Sequence, residues 1–392
     1  MGLPLEGIKV VELAQSLGSP WCTSMMADFG AEVINVEPRH GARTRKMGTT
    51  FLKGECPWYF ALHRGKKGIT VDIRKPHGQE IVKKLVKNAD LVTENFRPGV
   101  LDRLGLGYDA LSKINPKLLY LSITGFGAEG PWKDRPGIEL IFQAYSGLMS
   151  IQGEDEHGMP RHIGAAVSDM AAGVMAFIGV MLALYERKES RLGQRIDVSN
   201  LTATLSMFNP HAQIQFFGGP PRGMASSAVC PFRSFATKDG YMAIGLPSDQ
   251  YWPNFCKALG IEDLRDNPLF ATNVDRVKNR EATEAIIQST LEQKATGEWL
   301  EIFKEADAIG GPVNTFADIA NDPQILANDM VVTVDHPVCG ETKMIGIPIK
   351  LSRTPGRIGT PPPTMGQHTD KVLQEIGYSQ QEIEELRKLK VV

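Results

Sequence analysis

The stretch IKVVELAQSLGSPWCTSMMADFGAEVINVEP, Ile8 to Pro38, decides the fold. IKVVELA is a short run rich in β-branched apolar residues. WCTSMMADFG follows with helical spacing and stops on a glycine, and EVINVEP is a second strand-like run. Strand, helix, strand at this spacing suggests a parallel pair, because parallel neighbours need a crossover connection and a helix commonly supplies it. Further on, ADLVTENF and LLYLSITGF repeat the pattern with a helix-like stretch between them. The expectation is an α/β fold with an open, Rossmann-like parallel sheet. The first turn, AQSLGSP, lacks the GxGxxG glycines that admit a pyrophosphate, which argues against a nicotinamide or flavin dinucleotide.

The chain has 392 residues, more than one hydrophobic core usually serves, so a second unit is expected. Asn209 to Ala228, NPHAQIQFFGGPPRGMASSA, is rich in Gly, Pro and small polar residues and reads as a linker, residues 209–228. Beyond it FRSFATKDGYMAIGL predicts a hairpin turning at Asp239-Gly240, and YWPNFCKALG and REATEAIIQSTLEQ predict helices. Residues 229–330 therefore read as a small α+β domain. After a further Pro-rich passage, TPGRIGTPPPTMGQHTD, the last part of the chain, KVLQEIGYSQQEIEELRKL, reads as one amphipathic helix. The apolar run Met170 to Tyr185 is shorter than a bilayer span and rich in small residues, so a buried core helix is expected.

The formal charge of −2 argues against a general nucleic-acid or membrane-surface binder. Its distribution is uneven: Arg39 to Arg103 holds fifteen Lys and Arg against six Asp and Glu, a local excess of nine positive charges. Arg39, Arg43, Arg45, Lys46, Arg64, Lys66, Lys67, Arg74, Arg97 and Arg103 are either a solvated face or an anion site. Arg39 and Arg97 lie just past predicted strand ends, where open α/β sheets bind ligands, and this favours the second. Five widely spaced cysteines form no CxxC pair, and eight histidines show no HExxH or HxxxH spacing. No disulfide framework, metal site or export signal is indicated, and a cytoplasmic enzyme is expected.

Asp169 opens the apolar run in PRHIGAAVSDMAAGVMAFIGVMLALYERK. Two duties suit it. Ser168 or Asp169 can be the helix N-cap, the commoner use of such residues. Alternatively the helix dipole can keep the Asp169 carboxylate ionised for attack on a carbonyl carbon. His162, seven residues earlier, is a possible substrate contact.

The opening LPLEGIKVVELAQSLGSPWCTSMMADFGAEVINVEP resembles the class III CoA-transferase family. So do HRGKKGITVDIRKP, DLVTENFRPGVLDRLGLGYDAL, LLYLSITGFGAEGPWKDRPG, SDMAAGVMAFIGVMLALYERKESRLGQRIDVS, FRSFATKDGYMAIGL and TPPPTMGQHTDKVLQEIGYS, in that order. The resemblance implies a Rossmann-like large domain built from both chain ends (residues 1–208 and 331–392), with the small domain inserted between. It also implies an interlocked homodimer. The implied reaction moves CoA from an acyl-CoA to a small carboxylic acid through an aspartyl anhydride and an aspartyl-CoA thioester on Asp169. CoA is then a substrate and no cofactor is permanently bound. Ser16, Leu17, Arg39, Arg74, Asn95, Phe96, Arg97 and Arg103 are the implied CoA contacts, with Gln15 and His162 as further oxyanion or substrate contacts.

Three departures narrow this. Formyl-CoA transferases of the family carry Gln at the position of Leu17, Lys-Ala-Tyr in place of Pro136-Gly137-Ile138, and a glycine-rich loop where this chain has ASSAVCPF; oxalate is therefore not expected to be the preferred acid. The family's 2-methylacyl-CoA racemases use a His in a GHD motif, replaced here by Gly137, Ile138 and Glu139, which argues against racemisation. A non-catalytic CoA-binding subunit has no need of Asp169. Dicarboxylates, aromatic succinates and carnitine-type betaines remain open as acceptor acids.

Overall fold

The computed structural model describes residues 2–219 and 228–392. The chain separates into two compact units, one made of Met1–Met149, Glu154–Asn209 and Gln324–Val392, the other of Ser150–Gly153 and Pro210–Pro323. Residues 220–227 of the expected linker, and with them the start of ASSAVCPF, lie outside the described residues. The linker's first part is helical, Asn209–Phe216.

In the first unit the order is β1 (Lys9–Glu12), α1 (Gly18–Asp28), β2 (Glu32–Glu37), α2 (Pro57–His63), β3 (Lys66–Thr70), α3 (Pro76–Val86), β4 (Leu91–Glu94), α4 (Val100–Arg103), α5 (Tyr108–Ile114) and β5 (Leu119–Thr124). There follow α6 (Glu139–Tyr145), α7 (Val167–Ser190), β6 (Arg195–Ser199) and α8 (Asn200–Met207). The six strands form one parallel sheet in the order β3-β2-β1-β4-β5-β6. Two cores cover its faces. Residues of α1 and α7, among them Cys22, Met26, Ala172, Ala176 and Val180, join Val10, Val33 and Leu121 on one side. On the other, α3 and α5 supply Ile81, Leu85 and Leu111 against Val11, Ile69 and Val92. Val372, Leu373, Ile383 and Leu386 from the far end of the chain complete this second core.

Strands β3 and β6 escape a reading by apolar runs. KKGIT begins with two lysines, yet Lys66 is buried because its ammonium meets Glu12 of β1 at 2.8 Å. RIDVS alternates polar and apolar residues, as the outer strand of a sheet does.

The terminal helix is two. The helix Thr369–Glu375 ends before Gly377, which adopts a left-handed φ of 92°, and Ser379 starts Gln380–Lys388 with a capping box to Glu382. The helix α7 also departs from expectation. It has 24 residues and is long and apolar enough, by length and composition, to cross a bilayer. Ala171, Ala172, Gly173, Ala176, Val180 and Ala183 are buried on one face, whereas Val174, Ile178, Leu182 and Tyr185 are exposed, Leu182 by 65% and Tyr185 by 74%. Small residues are all that fits beneath α1, so the bulky apolar ones face outward. It is a half-buried helix with an apolar outer stripe, and not a fully buried one.

The second unit is α+β. Strands β7 (Phe232–Ala236) and β8 (Tyr241–Gly245) pair antiparallel around the turn at Asp239-Gly240, and β9 (Gly311–Pro312) adds a third. Helices over Trp252–Leu259, Arg280–Leu291 and Thr296–Glu305 close a core of Phe235, Trp252, Phe255, Trp299 and Phe303.

Candidate active site

In the sheet order above, β1 and β4 are neighbours whose connections leave toward opposite faces. Their loops part at the carboxyl edge and leave a crevice, the place where open α/β sheets bind ligands. One side chain ties the two loops together. Asn95 Oδ1 accepts the Gln15 amide at 3.0 Å, and its Nδ2 donates to Ser16 Oγ. Beneath it, buried Glu94 accepts the Phe96 amide at 2.7 Å; burial pushes its carboxyl up to about 7, against the pull of hydrogen bonds from Ser122 and Phe96. Gln15, Ser16, Leu17, Asn95 and Phe96 are thus brought to one crevice, with Arg97 exposed beside them and Arg103 exposed at the end of α4.

The basic stretch divides by partner. Arg45 is bound to Glu37 at 2.7 and 2.9 Å, Arg64 to Asp28 at 2.9 and 2.7 Å, and Lys66 to Glu12. These pairs hold β1, β2, α1, α2 and β3 together and leave no charge to spare. Arg74 pairs with Asp72 at the surface at 2.8 and 2.9 Å. Arg39 is exposed and donates to the main-chain oxygen of Val392 at 3.2 Å. Among the described residues Arg39, Arg43, Lys46, Arg97 and Arg103 form no ion pair with a protein carboxylate. With Lys67 bound to Glu32 at 2.5 Å, five of the ten basic residues named above are paired with carboxylates, and the other five are available to an anion.

The helix end at Asp169 is built otherwise than the capping alternative supposes. Ala166 is the N-cap of α7, without a side-chain hydrogen bond, so Asp169 lies in the first turn. The capping duty falls to Glu139: its Oε1 accepts the Ser168 amide at 2.9 Å and its Oε2 the Asp169 amide at 3.0 Å. Gln143, one turn along α6, donates to Glu139 Oε1 at 2.8 Å and to the Ile163 and Ala165 carbonyls, and accepts the Ile163 amide at 2.9 Å. Glu139 is thereby locked in place, and the loop before α7 with it.

The Asp169 carboxylate is left for other work. Its Oδ1 accepts from Asn200 Nδ2 at 2.5 Å, and Asn200 is buried at the first position of α8. Burial is the main cause that raises the Asp169 carboxyl to about 6; the Glu139 charge adds to it, and the Asn200 hydrogen bond and the Arg43 charge oppose it. Helix α1 begins against this site. A Cβ on Gly18 would lie 3.0 Å from the Asp169 carbonyl oxygen, and one on Gly173 would lie 2.7 Å from the Gly18 carbonyl oxygen. Only glycines allow α1 and α7 to approach so closely. Leu17, the N-cap of α1, has no side-chain cap, so the amides of that first turn point at the same end of the sheet as Asp169.

His162 stands exposed on the loop before α7. Ile138 is the N-cap of α6, at the position where a racemase base is expected, and it has no group that can take a proton. Glu139, Gln143 and Asn200 are the site residues to which sequence reading gave no role, while Arg43, read there only as one of the basic residues, acts on Asp169 through its charge. Among the described residues no group of three or more His, Cys, Asp or Glu side chains is placed to hold a metal ion.

An open parallel sheet with unpaired arginines at its carboxyl edge, and a buried carboxylate at an adjoining helix end, is an arrangement suited to a large anionic ligand. The chain belongs to CoA-transferase family III, whose sequence profile matches residues 5–369. It is 35% identical over 377 residues to the human succinyl-CoA:glutarate CoA-transferase, covering 95% of this chain and 86% of that one. To the succinate–glutarate CoA-transferase of Agrobacterium fabrum it is 36% identical over 384 residues, covering 95% and 96%. Among solved structures, a CAIB/BAIF family protein from Brucella suis superposes with a TM-score of 0.87 at 34% identity, over 96% of this chain and 100% of that one.

Proposed function

We propose that this CoA-transferase works through Asp169 as a covalent nucleophile. The observation that carries the reading is the division of labour at α7: Glu139 takes the helix-end amides, and the Asp169 carboxylate keeps one oxygen uncommitted among the described residues. A carboxylate held near pH 6 by burial is ionised at neutral pH and more basic than a solvated one, both of which suit attack on a thioester. Asp169 attacks the acyl carbon of the donor thioester and expels CoA thiolate, giving a mixed anhydride. The thiolate then attacks the aspartyl carbon and expels the donor acid, giving an aspartyl-CoA thioester. An acceptor carboxylate reverses both steps and leaves as the new thioester. Every species is an activated acyl group, so water has to be excluded throughout.

CoA lies in the β1/β4 crevice in this reading, with its phosphates toward Arg39, Arg97 and Arg103 and Asn95 and Phe96 beside the nucleotide. Arg74 is a further contact if it exchanges Asp72 for a phosphate. Gln15, Ser16 and Leu17 meet the pantetheine end, where the first amides of α1 can take up the oxyanion, and His162 borders the acceptor acid. Succinyl-CoA as donor and a dicarboxylate such as glutarate as acceptor are the first candidates, by likeness to the relatives named above. The working unit is an interlocked homodimer in the cytoplasm, with residues 229–330 inserted between the two parts of the large domain. The outer stripe of α7 and the exposed Leu140, Ile141 and Tyr145 of α6 supply an apolar face for the second copy.

The test is to incubate the enzyme with succinyl-CoA or acetyl-CoA and a panel of acids, and to follow new CoA esters by mass spectrometry. Asp169→Ala is expected to abolish transfer. Near-normal rates in that variant rule out the covalent route, and deuterium uptake at an α-carbon without CoA exchange points to racemisation.

A further inference from the structure

The two oxygens of Asp169 have different surroundings. Oδ1 accepts the Asn200 amide at 2.5 Å, whereas Oδ2 has no hydrogen-bond partner among the described residues. Asn200 is held by burial and by its backbone. It is 5% exposed, it follows β6 directly, Ser199 caps its helix through the Thr202 amide at 3.1 Å, and its own carbonyl accepts Thr204 Oγ1 at 2.6 Å. On the backbone side of the carboxylate, Glu139 holds the Asp169 amide. The side chain therefore presents one fixed oxygen and one free one.

We infer that Asn200 is a catalytic oxyanion donor for the steps that take place at the aspartyl carbon, and that it makes Oδ2 the attacking oxygen. This rests on the covalent reading of Asp169. In the first step Oδ2 forms the bond to the donor acyl carbon and the C–S bond breaks, its electron pair leaving on the CoA thiolate. In the second, the thiolate sulfur bonds to Cγ of Asp169 and the Cγ=Oδ1 π pair moves onto Oδ1. When it returns, the Cγ–Oδ2 bond breaks and the donor acid departs carrying Oδ2. The acceptor carboxylate later restores that oxygen by attacking the same Cγ. Oδ1 is thus the oxygen that never leaves, and it bears the negative charge in both tetrahedral species formed at Cγ. A donor already at 2.5 Å from it needs no reorganisation at that moment. The two attacks on substrate carbonyls place their charge elsewhere, on an oxygen Asn200 does not touch.

The inference separates steps that a merely structural role cannot separate. Enzyme is mixed with succinyl-CoA and quenched at intervals, with and without hydroxylamine. Hydroxylamine converts both the anhydride and the aspartyl-CoA thioester to the Asp169 hydroxamate, the Asp169 peptide weighed without it shows the CoA adduct alone, and the excess of hydroxamate over CoA adduct measures the trapped anhydride. In Asn200→Ala the CoA adduct is expected to form about a hundredfold more slowly while the trapped anhydride forms near the wild-type rate. That retained first step is itself the proof that the variant is folded. If Asn200→Ala traps nothing, Asn200→Ser, which keeps a hydroxyl donor on a smaller side chain, is read in the same way. Selective slowing of the second step supports the inference; equal slowing of both, or an undiminished CoA adduct, overturns it. A wild-type enzyme that carries neither adduct on Asp169 refutes the covalent reading instead.

Discussion

Glu139 and Asp169 meet at one helix end without competing for it: Oε2 of Glu139 accepts the Asp169 backbone amide at 3.0 Å, and the Asp169 side chain turns away to Asn200. A carboxylate that caps a helix is engaged with amides. A carboxylate whose capping is done by a neighbour is free, and it also feels that neighbour's charge.

That charge has a measurable consequence. Like charges disfavour each other's ionisation, so Glu139 contributes to raising the Asp169 carboxyl to about 6, after burial. Activity is therefore expected to fall as pH drops through about 6, where Asp169 takes up a proton. Glu139→Gln keeps an acceptor for one amide and removes the charge. The acid limb of its kcat/KM profile is expected to move to lower pH, and a limb that stays in place shows that Glu139 does not act on Asp169 electrostatically.

The same shift is a statement about stability. Asp169 has a folded value of about 6 against 3.8 for a free carboxyl, so the folded state resists its ionisation. Below the unfolded value both states are protonated and nothing is lost. The penalty grows as pH rises and is complete above the folded value, at up to about 3 kcal/mol. Asp169→Asn is neutral at every pH. It is expected to melt above the wild type at pH 8, with the gap closing toward pH 4, while transfer is lost. Thermal midpoints of the two proteins across that range decide the point.

Arg97 and Arg103 have no carboxylate partner among the described residues, whereas Arg74 is bound to Asp72. Arg97→Ala and Arg103→Ala are each expected to raise KM for acyl-CoA about tenfold or more, with kcat little changed and a weaker dependence on salt. Arg74→Ala is expected to do less, because binding a phosphate there costs an existing pair. An acyl-pantetheine donor, which has no nucleotide, should not distinguish the variants from wild type. Equal losses with both donors place these arginines away from the nucleotide.

The sequence shows the β1-α1-β2 unit plainly, because its buried residues are apolar and local spacing reveals them. It hides β3, because the two lysines that open it look like surface; Lys66 is buried only by virtue of Glu12, 54 residues away. The same division holds at the site. Asp169 stands out by its place before an apolar run and Arg97 by its place after a strand, whereas Asn95 and Phe96 were marked only by the family resemblance. Glu139 and Asn200 carry no local mark, since their partner at Asp169 lies 30 and 31 residues off, and only the folded sheet brings them to it. The outward stripe of α7 was hidden for a related reason: a run that is apolar all round does not say which face meets the sheet.

The close crossing of α1 and α7 couples the site to packing, and Gly173 is where this can be measured. A Cβ there would lie 2.7 Å from the Gly18 carbonyl oxygen and 2.8 Å from Trp21 Cδ1, too close for any rotamer change to relieve the backbone contact. Gly173→Ala must push the helices apart. Its cost in stability is expected to be about 1–3 kcal/mol, as for other overpacked cores. The larger effect falls on catalysis: Gly18 and Leu17 open α1 beside Asp169, and a displacement of even 1 Å can lower the rate about a hundredfold. Gly179→Ala, on the same helix, is the control. Its Cβ would meet only the Ile196 Cγ2 methyl at 3.1 Å, which a side chain can yield, and alanine is the better helix former. Gly173→Ala should therefore lower kcat far more than its melting shift accounts for, and Gly179→Ala should leave kcat unchanged. Parallel losses in the two variants are the result that removes the α1–α7 crossing from any role in placing the nucleophile.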